Sequence, residues 1–182
     1  FAGDEGSALE ASFSSTVAVE VGPDSSIYVA DLGNHRVRRI DPSGIIRTVA
    51  GNGQVDITGD GGPATGASLY GPNDIAVSED GYLYIAEGNA HRVRMVTPGG
   101  IIYTVAGSGP AGSQNGAFEG DGGSPVQARF KNVGGVALGP DGTLYISDGF
   151  NYRVRRVRSA LPGSDYRGGV IASEDGRKLF EF

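Results

Sequence analysis

Apolar and polar positions alternate along this chain in short runs, each closed by a turn rich in Gly, Pro, Asp or Ser. The alternation has a period of two, which predicts half-buried β-strands. First strands are expected over Thr16 to Val21, Asp74 to Ser78 and Gly135 to Leu138. Second strands follow at Ile27 to Ala30, Tyr82 to Ala86 and Thr143 to Ser147. Third strands run Arg36 to Ile40, Arg92 to Val96 and Arg153 to Val157, and fourth strands run Ile45 to Ala50 and Ile101 to Ala106. The turns between first and second strands contain Pro23-Asp24-Ser25-Ser26, Glu79-Asp80-Gly81 and Pro140-Asp141-Gly142. Asp-Gly at such a place predicts a type I′ hairpin, which needs positive φ. No stretch carries the period of an amphipathic helix.

The pattern repeats. Asp31, Glu87 and Asp148 close the second strands at offsets of 56 and 61 residues, and Arg36, Arg92 and Arg153 open the third. A long self-similar period of short strands signals a repeat architecture. Each unit reads as a four-stranded antiparallel meander, which cannot cover both of its faces alone. Radial stacking solves this, so the fold class is an all-β propeller. Three blades are expected in 1–158, at approximately 1–58, 59–119 and 120–158. Propellers close with roughly 4–8 blades, so the ring is incomplete in this chain.

The unit boundaries are loops: Gly3-Asp4-Glu5-Gly6, Gly59-Asp60-Gly61-Gly62 and Gly120-Asp121-Gly122-Gly123. Each leads to an apolar anchor (Phe13, Leu69, Phe130). They contain no Lys and open no helix, so they are not phosphate loops; one Asp per copy predicts turn geometry over calcium binding. After Val157 the pattern stops, and 159–182 reads as a linker and a terminal hairpin. Ser173-Glu174-Asp175-Gly176 there repeats Ser78-Glu79-Asp80-Gly81. The chain opens without Met inside a repeat, and reads as a piece of a longer protein.

Composition refines this picture. The 32 Gly and 9 Pro sit at regular punctuation points between strands, as in a turn-rich β-protein. There is no Cys, so disulfides, thiolate metal sites and Cys nucleophiles are excluded. A formal net charge of -6 disfavours nucleic acid and anionic membrane. The Arg-Val-Arg-Arg runs do not change this, because alternation sends Arg38 to one face of the strand and Arg39 to the other. No apolar run is long enough to span a membrane as a helix.

Val29-Ala30-Asp31, Asn34-His35-Arg36-Val37-Arg38-Arg39-Ile40 and Thr48-Val49-Ala50-Gly51 resemble the NHL repeat over 1–158. The Gly-Asp loops resemble those of bacterial extracellular NHL proteins and teneurins. The tail from Arg153 through Tyr166 to Phe182 is similar to the junction where a teneurin or Rhs-type propeller passes into its YD-repeat shell. The resemblance implies a large cell-surface or secreted parent, whose propeller serves adhesion or packing against the shell.

Candidate chemistry centres on the repeated residues. Asp31, Glu87 and Asp148 paired with Arg36, Arg92 and Arg153 read as fasteners, a charge-assisted hydrogen bond pinning each turn. A ring of carboxylates for calcium or acid–base work is the competing reading. His35 and His91 hold equivalent positions, with Tyr152 as the third. Some NHL-fold enzymes use axial His for zinc, but a zinc shell needs more His than this chain has. Ring packing is therefore expected for His35, His91 and Tyr152, with no metal, cofactor or catalytic residue. Tyr28, Ile85 and Ile146 are expected in the core. The expected function is a non-enzymatic interaction or scaffold module of an extracellular or cell-surface bacterial protein. Its partner is another protein or a neighbouring domain, without nucleic acid or membrane insertion. Two alternatives stand: self-assembly into a ring or fibre through open blade edges, and a metal-dependent lyase or lactonase.

Overall fold

The computed structural model describes residues 1–108 and 118–157. The strands are β1 Gly6–Ser7, β2 Thr16–Val21, β3 Ile27–Asp31, β4 Arg36–Ile40, β5 Ile45–Ala50, β6 Pro72–Val77, β7 Leu83–Glu87, β8 Arg92–Val96, β9 Ile102–Ala106, β10 Val133–Leu138, β11 Leu144–Asp148 and β12 Arg153–Val157. They form three antiparallel sheets in the orders β1-β5-β4-β3-β2, β6-β7-β8-β9 and β10-β11-β12. Each sheet is one blade. The first strands stand side by side, β2 against β6 and β6 against β10, which is the radial stacking expected of a propeller. The linker and terminal hairpin expected over 159–182 lie outside the described residues.

The blades are held by two apolar layers between them. Ala30, Val37 and Ala50 of the first blade meet Leu69, Ile75, Leu83, Ile85, Val96 and Ile102 of the second. Tyr84, Val93, Met95 and Ala106 of the second meet Phe130, Val136, Leu144, Ile146 and Val157 of the third. Ile85 and Ile146 are fully buried, as expected, while Tyr28 packs half-buried at the edge of its layer.

Three local features differ from the sequence reading. First, the expected type I′ turns are absent. At Ser78 to Tyr82, the Gly81 N–H donates to Ser78 O (2.9 Å) and the Ser78 N–H to Tyr82 O (2.9 Å). Gly81 has positive φ but Asp80 does not. This is a type I turn followed by a left-handed residue, the three-residue hairpin with a bulge. It recurs at 22–26, 41–45, 97–101 and 139–143.

Second, β6 and β10 begin earlier than expected, at Pro72 and Val133. A register shift between Pro72 and Asp74, and between Val133 and Gly135, breaks the alternation there and hides the strand start.

Third, the boundary loops belong to sheets. β1 pairs with β5, and Pro63 bridges Ile101, so each of these loops runs along the outer edge of the blade it precedes. Self-assembly through open blade edges is thereby confined. Boundary loops cover β5 of the first blade and the outer edge of the second, whereas among the described residues no such segment covers β12.

Candidate functional site

The recurrent polar centre of each blade is a fully buried arginine. Arg38, Arg94 and Arg155 are each 0% exposed, in the middle of a third strand. An arginine stays charged and cannot be buried without partners. Each has two carboxylates. The first sits at the end of the second strand: Asp31 at 3.9 Å, Glu87 at 3.7 Å and Asp148 at 3.6 Å. The second comes from the boundary loop. Arg38 Nε and Nη2 donate to Asp4 Oδ1, and Arg155 Nε and Nη2 to Asp121 Oδ1. Arg94 pairs with Asp60 at 2.7 Å. The Gly-Asp loops therefore do more than turn the chain, as their Asp neutralises a buried cation. Turn geometry is only half of their role.

The strand-end carboxylates also reach backward. Asp31 Oδ1 accepts the Ser14 N–H, Glu87 Oε1 the Tyr70 N–H and Asp148 Oδ1 the Lys131 N–H. Each thus ties down the segment entering the first strand of its own blade. Burial pushes the Glu87 and Asp148 carboxyls up; the Arg92 and Arg94 charges oppose this at Glu87, and hydrogen bonds from Asn151 and the Lys131 N–H, followed by the Arg155 and Arg153 charges, oppose it at Asp148. Burial likewise pulls Arg94 and Arg155 down from the usual guanidinium range.

The expected fasteners are placed differently from one another. Glu87 accepts from Arg92 Nε at 2.6 Å, as a pair within the blade. Arg36 does not touch Asp31, although the two are cross-strand partners. It donates to Asn34 O and Asn52 O and lies over the Phe1 ring, 3.9 Å from its centre. Arg153 lies over Phe118 at 3.8 Å, and its charge acts on Asp148 through space. The difference is one methylene: Glu87 is long enough to meet Arg92, and Ile57 takes the place that Phe1 and Phe118 hold in the other blades. Because Asp31, Glu87 and Asp148 are all 0% exposed, they do not form an accessible ring of carboxylates.

The two histidines and their third counterpart share a backbone state. His35, His91 and Tyr152 have φ of 53°, 56° and 55°, capping a short turn in the left-handed region. His91 is fully buried, and its Nδ1 accepts the Asn132 N–H of the next blade at 2.9 Å, so that nitrogen is committed to joining blades. His35 is half-buried, and burial with the Arg36 charge lowers its pKa. Tyr152 departs from the expected ring packing, being 91% exposed. It stands where His91 stands, but on the face of the third blade that no described residue covers. Among the described residues no group of three His, Asp or Glu side chains is placed to hold a metal.

That uncovered face has a counterpart on the first blade. Val19 is 62% exposed, whereas Ile75 and Val136 at its position are 3% and 8% exposed. Phe13 is 37% exposed, whereas Leu69 and Phe130 are fully buried. On the third blade Val154 is 42% exposed, whereas Val37 and Val93 are fully buried. The arc thus shows two apolar faces of opposite kind, each the type that is covered between its own blades.

Residues 48–115 match the family model described as the teneurin NHL domain. The repeats are NHL-type propeller blades of the kind found in teneurins. Human teneurin-1 is 32% identical over 174 residues, covering 87% of this chain and 6% of the relative. The chain thus spans about 6% of the length of that teneurin. Among solved structures, a Bacteroides thetaiotaomicron structural genomics protein of unknown function matches at 25% identity with a TM-score of 0.61. It covers 73% of this chain and 32% of that one. An auxiliary nutrient binding protein from Bacteroides ovatus matches at 25% identity and a TM-score of 0.55, covering 72% of this chain and 34% of that one. Among the described residues no helix is long and apolar enough to cross a membrane.

Asp4, Asp60 and Asp121 are not among the residues expected at the site. The signal was present: each lies 34 residues before its buried arginine, in all three NHL blades.

Proposed function

We propose that this chain is a non-enzymatic interaction and scaffold module, an NHL-type propeller arc working inside a larger extracellular or cell-surface protein. The observation that carries this is the pair of exposed faces. Their apolar positions are buried wherever a neighbouring blade is present. Burying them is worth about 25 cal/mol per Å² of apolar surface, so they favour a partner that supplies the complementary face. A neighbouring segment of the same parent is the partner this reading names, and the likeness to teneurin NHL domains supports it. The repeated polar residues are consumed in holding blades, which supports a scaffold over an enzyme.

Hydrogen exchange of the isolated chain and of its parent tests this. Amides of β2 and β12 should exchange more slowly in the parent; equal exchange in both would refute the reading. Self-assembly is the second reading, favoured by the presence of both complementary faces on one chain. Sedimentation separates the two, since a strictly monomeric folded chain rules out assembly. Metal analysis addresses the lyase or lactonase reading. Stoichiometric zinc or calcium, lost on His35→Ala or Asp31→Ala, would restore it.

A further inference from the structure

In a repeat protein, what every copy shares belongs to the architecture, and what one junction alone carries is free to serve a ligand. The junction between the second and third blades has a groove of about 630 Å³ between the turns at 77–80 and 138–142, and the junction between the first and second blades differs from it in the position and lining of its groove. This first junction holds a groove of about 500 Å³, lined by Tyr28, Arg39, Thr65 and Thr97 over an apolar floor that includes Leu83 and Val96. At the junction of the second and third blades, Tyr84 and Met95 take the places of Tyr28 and Arg39, and they are 1% and 0% exposed. Val126 takes the place of Thr65 in the equivalent short turn. Arg39, in contrast, is 30% exposed. The polar groove is therefore not required for blades to stack.

Its chemistry is specific in kind. Arg39 is paired with Asp24, so its charge is already compensated and no net cation awaits an anion. The groove is rich in hydroxyls. The Thr97 Oγ accepts the Ile101 N–H and keeps its own hydrogen to donate, while Tyr28 and Thr65 can both donate and accept. Hydroxyls that both donate and accept, set over an apolar floor, complement a molecule with alternating O–H and C–H faces. The volume lies within the range of small-ligand pockets, about 300–1,000 Å³. We propose that this groove is a binding subsite for a neutral saccharide. The proposal does not depend on the exposed blade faces.

The test is saturation-transfer NMR of the full chain with maltose, cellobiose, lactose and chitobiose, with inorganic phosphate as a separate probe. The variant pairs Arg39→Met with Thr65→Val, which copies the residues of the next junction. At least one disaccharide should give transfer, and its affinity should fall about tenfold or more in the double variant, as expected for lost polar contacts. Thermal unfolding should show the double variant no less stable than the unchanged chain. If that variant fails to fold, Thr97→Val serves in its place and should weaken the same disaccharide. The proposal is overturned if none of the disaccharides binds, if binding survives in the folded variant, or if phosphate binds and the disaccharides do not.

Discussion

Replacing Arg94 by Met removes the cation that Glu87 and Asp60 share. Arg94 and Glu87 are both 0% exposed, with Nη1 and Oε2 3.7 Å apart. At that separation and an effective dielectric of about 20, the gross attraction is about 4.5 kcal/mol. Desolvation of both groups offsets much of it in the intact blade. Removing one partner is different, because Glu87 then keeps its buried charge with Arg92 alone. Breaking a buried pair in this way costs about 3–5 kcal/mol. With a urea slope near 2 kcal/mol per molar, the unfolding midpoint should fall by about 2 M. Adding Glu87→Gln should recover part of the loss, giving a coupling of about 2 kcal/mol in a double-mutant cycle. Asp60→Asn should cost less than Arg94→Met, because Asp60 is 46% exposed and its charge is partly screened. A midpoint shift below about 0.5 M for Arg94→Met, with no coupling to Glu87, would refute the claim that the buried pair holds the blade.

Gly51 has φ +91° and an added Cβ would meet His35 O at 2.2 Å, whereas Gly61 has φ +79° and open space around it. Gly51→Ala should therefore cost at least about 3 kcal/mol and Gly61→Ala about 1 kcal/mol, read by urea unfolding. His91→Ala leaves the Asn132 N–H without its acceptor inside a blade junction and should cost about 1–3 kcal/mol, while Tyr152→Ala should change stability by less than about 0.5 kcal/mol. The Asp41 carboxyl is held down to about 2, chiefly by the Ser43 hydroxyl and then by the Ile45 N–H. A depressed acid adds stability above its unfolded pKa near 3.8, and that stability is lost as pH falls toward 2. Thermal melts across that window should show Asp41→Asn less sensitive to acid than the unchanged chain.

Much of this fold was legible because strand alternation and turn residues agree in three copies. β4, β8 and β12 match the expected third strands residue for residue. The first strands were blurred where bulges at Asn73 and Gly134 break the period of two. The turn type was misread because Asp-Gly serves two hairpin geometries, and only the φ of the Asp separates them. At the polar centre, pairing by proximity along the hairpin pointed to Arg36, Arg92 and Arg153. The chain instead fully buries Arg38, Arg94 and Arg155, which share a strand face with Arg36, Arg92 and Arg153 but sit at mid-strand, where a loop carboxylate 34 residues earlier joins the strand-end one. Tyr152 shows a further limit: equivalence in sequence places a residue in its blade, but its burial depends on whether a neighbour stands beside that blade.

The boundary loops have a consequence for how such a chain can grow. The loop carrying Asp60 clasps the outer edge of the blade that follows it, not of the blade before. A cassette of 57–107 therefore contains a buried arginine, both of its carboxylates and its own edge cover. Copying that cassette adds a self-satisfied blade. A duplication cut instead at the first strand, such as 72–107, would deliver Arg94 without Asp60 and an outer strand without its clasp. The heritable unit of lengthening is thus set by the reach of one loop aspartate.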